Sequence, residues 1–142
     1  MSFIRGFYKK LAMILIEEMV LANGLHLNIF DCSREIAAAT VKVEILFKAD
    51  IVLLESYFSA TDDYRLVNDI FGDKLTYEYK MARAIVPREN SQSVRDELVN
   101  TFKSNSLGYV ASANFSQKLA LAMLRDIRKN PYRYQREQES KT

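Results

Sequence analysis

One cysteine, one histidine, two prolines and four glycines are all that this chain of 142 residues has of the types that most often mark special chemistry or backbone geometry. A lone Cys32 excludes an internal disulfide framework and a Cys-rich zinc site, and it suits a reducing compartment. His26 and Cys32 fall on either side of an expected strand end, so their spacing fixes no nucleophile–base pair. The scarce glycines form neither a Gly-x-Ser-x-Gly elbow nor a phosphate-cradling loop. Long apolar runs are missing too: the stretch from Leu11 to Ile16 is cut by Glu17 and Glu18, too short for a membrane span and without a clear small-residue cleavage site. The expectation is a cytoplasmic chain with no membrane span.

What is present suits a globular protein. Apolar residues make up 49% and charged residues 27%, enough to bury a core. The reading is a single α+β domain over 1–130 with a flexible polar tail over 131–142. Formal net charge is +2, and the positive excess sits at the two ends, leaving an acidic middle.

Glycine and proline then punctuate the periodic segments. Asn23-Gly24 before the alternation of Leu25, Leu27 and Ile29 predicts a β-hairpin with a type I′ turn. A short N-terminal helix precedes it, although one amphipathic helix from Phe3 to Leu21 is the rival reading. Asp31 to Arg34 reads as a turn. Residues 40–52 alternate strictly, with Val41, Val43, Ile45, Phe47, Ala49 and Ile51 on one face and Lys42, Glu44, Lys48 and Asp50 on the other. Thr61 with Asp62 and Asp63 predicts a capped helix start, and Gly72 its end. A further strand covers 75–85. Ser93 with Asp96 approximates a capping box, residues 105–108 form a loop, and Asn114 opens a last helix that Pro131 prevents from continuing. The architecture expected is an antiparallel sheet of about four strands, covered on one face by C-terminal helices.

Candidate sites are few. Arg34, at the end of the sheet, suits bidentate binding of a carboxylate or phosphate, or pairing with Asp31 to fix a turn. His26 and Arg83 are further polar contacts for a pocket between sheet and helices. His26, Asp31 and Glu17 or Glu18 have no diagnostic metal spacing, and neither a metal nor a cofactor is expected. Asp62, Asp63, Asp69 and Asp73 flank the short helix, where capping and solvation account for them. Arg128, Lys129, Tyr132, Arg133 and Tyr134 interleave base and aromatic, the pattern of phosphate contact with base stacking, though Glu137 and Glu139 dilute it. Leu46, Leu53 and Phe58 fall where apolar surface is expected to stay uncovered, and a long strand is a pairing template.

The stretch Leu21 to Leu27, then Ser33 to Ala37, then the long strand, resembles a small bacterial family of uncharacterised proteins. The resemblance covers the first third of the chain, implies a bacterial cytoplasmic origin, and brings no catalytic residue or ligand. The leading expectation is a non-catalytic interaction or assembly module, partnered by itself as a homo-oligomer or by another protein. A ligand-binding domain or enzyme, and a nucleic-acid binder, remain as alternatives.

Overall fold

In a computed structural model, which describes residues 13–134, the chain turns where Asn23 and Gly24 stand. Strands β1 (Ile14–Val20) and β2 (His26–Asp31) pair antiparallel across that turn. Of the Asn23-Gly24 pair only Gly24 has positive φ, at 88°, so the turn is not type I′. The Gly24 N–H donates to the Leu21 carbonyl (2.9 Å) and the Leu21 N–H to the Leu25 carbonyl (2.8 Å). This is a type I reversal followed by a left-handed glycine, which needs one positive φ rather than two. Asn23 is held by its side chain: Oδ1 accepts from the Leu25 N–H at 3.2 Å, and Nδ2 donates to the Val110 carbonyl at 2.8 Å. The helix read before the hairpin lies outside the described residues up to position 12.

Strand β3 (Arg34–Ala37) and the long strand β4 (Thr40–Val52) follow. The expected turn at Asp31–Arg34 is a continuation of the ladder instead. Leu27 faces Ala49, Asp31 faces Ile45 and Arg34 faces Lys42, all in one register. The Cys32 N–H donates to the Glu44 carbonyl (2.8 Å), and the Glu44 N–H donates to Ser33 Oγ (3.1 Å), so a hydroxyl replaces one backbone acceptor. The reversal comes later, at Ala38 and Ala39. Beyond it, helix α1 (Thr61–Phe71) and strand β5 (Lys74–Pro87) complete a five-stranded antiparallel sheet, with β2, β3 and β5 all pairing with β4. Helices α2 (Ser91–Asn105), α3 (Leu107–Val110) and α4 (Phe115–Lys129) end the fold. No described helix is long and apolar enough to cross a membrane.

Helix ends depart from expectation in detail. Thr61 is the first helical residue rather than the cap, and its hydroxyl donates to Glu55 Oε1 at 3.1 Å. Gly72 closes α1 at φ 78°, its N–H donating to the Asn68 carbonyl. Helix α2 begins two residues before Ser93, whose hydroxyl donates to the Asn90 carbonyl, so no capping box forms. Residues 107–110, expected within or beside a loop, are helical.

The chain divides into two compact units, one of residues up to Ala49 with Glu78–Ala111, the other of Asp50–Tyr77 with Ser112 onward. In the first, Leu27, Ile29, Val43, Ile45 and Phe47 are buried, as are Leu98 and Phe102 of α2. The opposite strand face is a lattice of ion pairs: Lys42–Glu44 (3.4 Å), Lys48–Glu78 (3.8 Å) and Lys80–Glu44 (3.9 Å). That is the period-two pattern of β4 realised as a buried face and a solvated one. In the second unit α1 packs on α4, burying Val67, Ile70, Ala120, Leu124 and Ile127. The polar tail does not begin at 131: residues 131–134 form a helical turn, and Tyr134 is buried.

Candidate functional site

The apolar surface is not where the sequence suggests. Leu46, Leu53 and Phe58 are all buried. Leu46 lies on the charged face of β4 but has Phe30 directly opposite on β2, and aromatic–aliphatic cross-strand pairs cover one another. Exposed apolar side chains occur singly on several elements, Ile36, Val52 and Ile85 among them, but they run consecutively at the start of β1, a strand at one end of the sheet. Ile14 is 64% exposed and Val20 69%, and Met13, Leu15 and Ile16 are exposed too. A bulge between Leu15 and Glu17 interrupts the pairing with β2. No described strand pairs with the outer edge of β1.

Two adjoining clefts open in the first unit. The larger, of about 440 Å³, lies between the β1–β2 hairpin and α2, with Glu17, Asp31, Arg95, Asp96 and Lys103 in its walls. Lys103 Nζ donates to both carboxylate oxygens of Glu17, at 2.9 and 2.8 Å, so this wall is already neutralised. The smaller, of about 180 Å³, is lined by Ser33, Arg34, Glu35, Arg88, Ser91 and Arg95. Arg95 belongs to both. Its Nε sits 2.8 Å from Oδ2 of Asp31, without the alignment of a hydrogen bond, so the contact is a close ion pair. Asp31 Oδ1 meanwhile accepts from the Ser33 N–H at 2.9 Å.

Arg34 therefore does not pair with Asp31; Arg95 takes that carboxylate. Of the three expected ligand contacts, Arg34 lines one of these two clefts, and His26 and Arg83 line neither. His26 is exposed at the hairpin end of β2, about eight strand residues or ~26 Å along the ladder from Arg34. Arg83 lies on β5, 3.7 Å from Glu97. Arg88 and Arg95 were missed because only the fold brings them to Arg34; nothing local in the sequence marks them.

Cys32 is half-buried beside Glu44. Burial foremost, then the Glu44 carboxylate, pushes its thiol pKa up, with Asp31 adding to this and Lys80 opposing it. A raised pKa depletes the thiolate, so Cys32 is poorly suited to be a nucleophile. Among the described residues no three His, Cys, Asp or Glu side chains converge as metal ligands.

The basic, aromatic segment is largely committed to the protein itself. Arg128 pairs with Asp63, Arg133 lies 3.9 Å from Asp126, and the Tyr134 hydroxyl donates to Asp126. Tyr134 also meets Phe71 edge-on, at 5.8 Å between ring centroids. A ring so buried offers no face to a base; Tyr132, by contrast, is exposed, and Lys129 lies at the end of α4. No protein-family model, curated protein or solved structure matches the chain.

Proposed function

We propose that this chain is a non-catalytic interaction module that associates with a second copy of itself through β1. The supporting observation is the run of exposed apolar side chains, Ile14 to Ile16 and Val20 with Met13 just before them, on a strand whose outer backbone edge has no described partner. An open edge offers a row of unpaired N–H and carbonyl groups, and adding a strand satisfies them. A second copy fits because antiparallel pairing of identical strands about a two-fold axis closes both edges in one contact.

The charges select the register. An axis at Leu15 sets Ile14 against Ile16 of the second copy, and Glu17 against its Met13. The two Glu17 carboxylates then lie at opposite ends of the contact. An axis at Glu17 would instead set Ile16 against Glu18 of the second copy, an apolar side chain against a charged one, and would crowd the two Glu17–Lys103 pairs together. The dimer is read as cytoplasmic, where a lone thiol stays reduced.

Light scattering on the eluting full-length protein tests this. The expected mass is a dimer, falling to a monomer in Leu15→Lys, which puts two ammonium groups at the axis while changing only an exposed position. An unchanged circular dichroism spectrum shows that the variant is folded. A wild-type monomer at the highest soluble concentration, or a Leu15→Lys dimer, would sink the reading.

A further inference from the structure

The smaller cleft is lined by three guanidinium groups and the Glu35 carboxylate, with Asp31 paired to Arg95 beside it, so the arginines exceed the carboxylates they touch. Arg88 spends one nitrogen, Nη2, on Glu35 (2.8 Å) and on the Ala38 carbonyl (3.0 Å). Arg95 directs Nε to Asp31 and Nη1 to Ser91 Oγ, the latter at a long 3.4 Å. Arg34 has no partner among the described residues. Each guanidinium carries five N–H donors in a planar fork and no acceptor, so few of the donors around this cleft are taken up by acceptors of the described residues. Ser33 and Ser91 line the same wall, the Ser91 hydroxyl donating to the Arg88 carbonyl at 2.8 Å and Ser33 Oγ accepting from the Glu44 N–H.

We propose that this cleft binds one oxyanion group, a phosphate, through Arg34, Arg88 and Arg95. Planar forks match the oxygens of a phosphate two at a time, and such charge-assisted hydrogen bonds are about twice as strong as neutral ones. Size restricts the ligand. At about 180 Å³ the cleft is below the roughly 300–1,000 Å³ of pockets that enclose a whole drug-sized molecule. It holds the charged group, and whatever carries that group projects into solvent.

The positions of the three arginines make the site a product of the fold. Arg34 opens β3, Arg88 stands in the turn after β5, and Arg95 lies one helical turn past Ser91 on α2. The Arg88 N–H also donates to the Ala39 carbonyl at 3.0 Å, tying that turn to the hairpin loop. The carboxylates in contact with these arginines, Glu35 and Asp31, set the competition an anion must overcome. Glu35 is the weaker competitor, being mostly exposed.

The test is a titration of the full-length protein, followed by amide chemical shifts, with inorganic phosphate and separately with phenyl phosphate, at constant ionic strength against chloride. Saturable shifts at Ser33–Glu35 and Arg88–Arg95 are expected with phosphate. Arg34→Gln should weaken binding at least about tenfold, the scale of a charged hydrogen bond, and Glu35→Gln should tighten it. Opposite directions from two exposed positions separate a site from general damage to the fold. Tighter binding of phenyl phosphate than of phosphate identifies a carried phosphate as the ligand, and equal binding the free ion. Absence of saturation with either anion, or equal affinities in wild type and Arg34→Gln, would overturn the proposal. Neither result depends on the oligomeric state.

Discussion

Phe47 of β4 and Phe102 of α2 stack with ring centroids 3.8 Å apart and planes 10° from parallel. So short a separation between near-parallel planes puts the two ring faces in direct van der Waals contact. Burial holds it: both rings are inaccessible to solvent, and Tyr79 leans on each of them, at 6.5 and 6.0 Å. Phe102 therefore joins α2 to the strands beneath it, alongside the equally buried Leu98.

Phe102→Ala should cost about 3–5 kcal/mol, the transfer energy of the ring plus the cavity left over Phe47. Phe102→Leu should cost clearly less, because it refills part of that space. Urea unfolding followed by circular dichroism measures both. Similar losses in the two variants would mean that the ring geometry, rather than the volume filled, fixes the helix.

Asp31 and Arg95 form the second anchor of α2, and their side chains are only 16% and 22% exposed. Pairs this sheltered are not the solvent-screened kind, which contribute about 0–1 kcal/mol. Asp31→Asn keeps an oxygen for the Ser33 N–H and removes only the charge, leaving Arg95 with a partly buried, unbalanced cation. The expected loss is about 1–3 kcal/mol. Adding Arg95→Met should recover part of it, and a double-mutant cycle over the four proteins reads the coupling directly. Strictly additive losses would show that the two groups do not depend on each other.

Local signals carried much of this fold. Asn23-Gly24 marked the hairpin, the alternation of Val41 to Ile51 marked the buried face of β4, and Gly72 and Pro131 stopped their helices. Failures came where a partner distant in sequence decided the outcome. Cys32-Ser33 reads as a turn because it breaks the apolar alternation, yet Ser33 Oγ receives the Glu44 N–H and the ladder continues. Leu46 looks exposed on a charged face until Phe30 is placed opposite it. Arg34 was visible as a candidate; Arg88 and Arg95 join it only through the ends of β5 and α2. The long strand reads as a pairing template, yet β2, β3 and β5 already pair with it, because periodicity says which face is apolar and not which strand is last in the sheet.

Tyr134 and Asp126 give the chain a pH-sensitive fastening at the end of α4. The hydrogen bond from Tyr134 is the main cause that holds the Asp126 pKa below its ordinary 3.8, helped by one from Asn130 at 3.0 Å and by the positive charges of Arg133 and Lys129, against a smaller opposing effect of burial. A carboxylate whose pKa is lower in the folded state stabilises that state when ionised. The contribution is therefore complete at neutral pH, begins to fade as the pH falls towards 3.8, and is gone once the pH has passed below the depressed folded value. Tyr134→Phe keeps the buried ring and its contact with Phe71 but removes the donor, so the Asp126 pKa should move up towards its ordinary value. Carbon-detected titration of the Asp126 carboxyl reads that shift without reference to overall stability. In parallel, the thermal midpoint of the variant should fall less steeply than that of wild type as the pH is lowered through this window. Were the Asp126 titration unchanged in Tyr134→Phe, the depression would have to come from Asn130 and the neighbouring cations, and Tyr134 would hold this end of the chain by its ring alone.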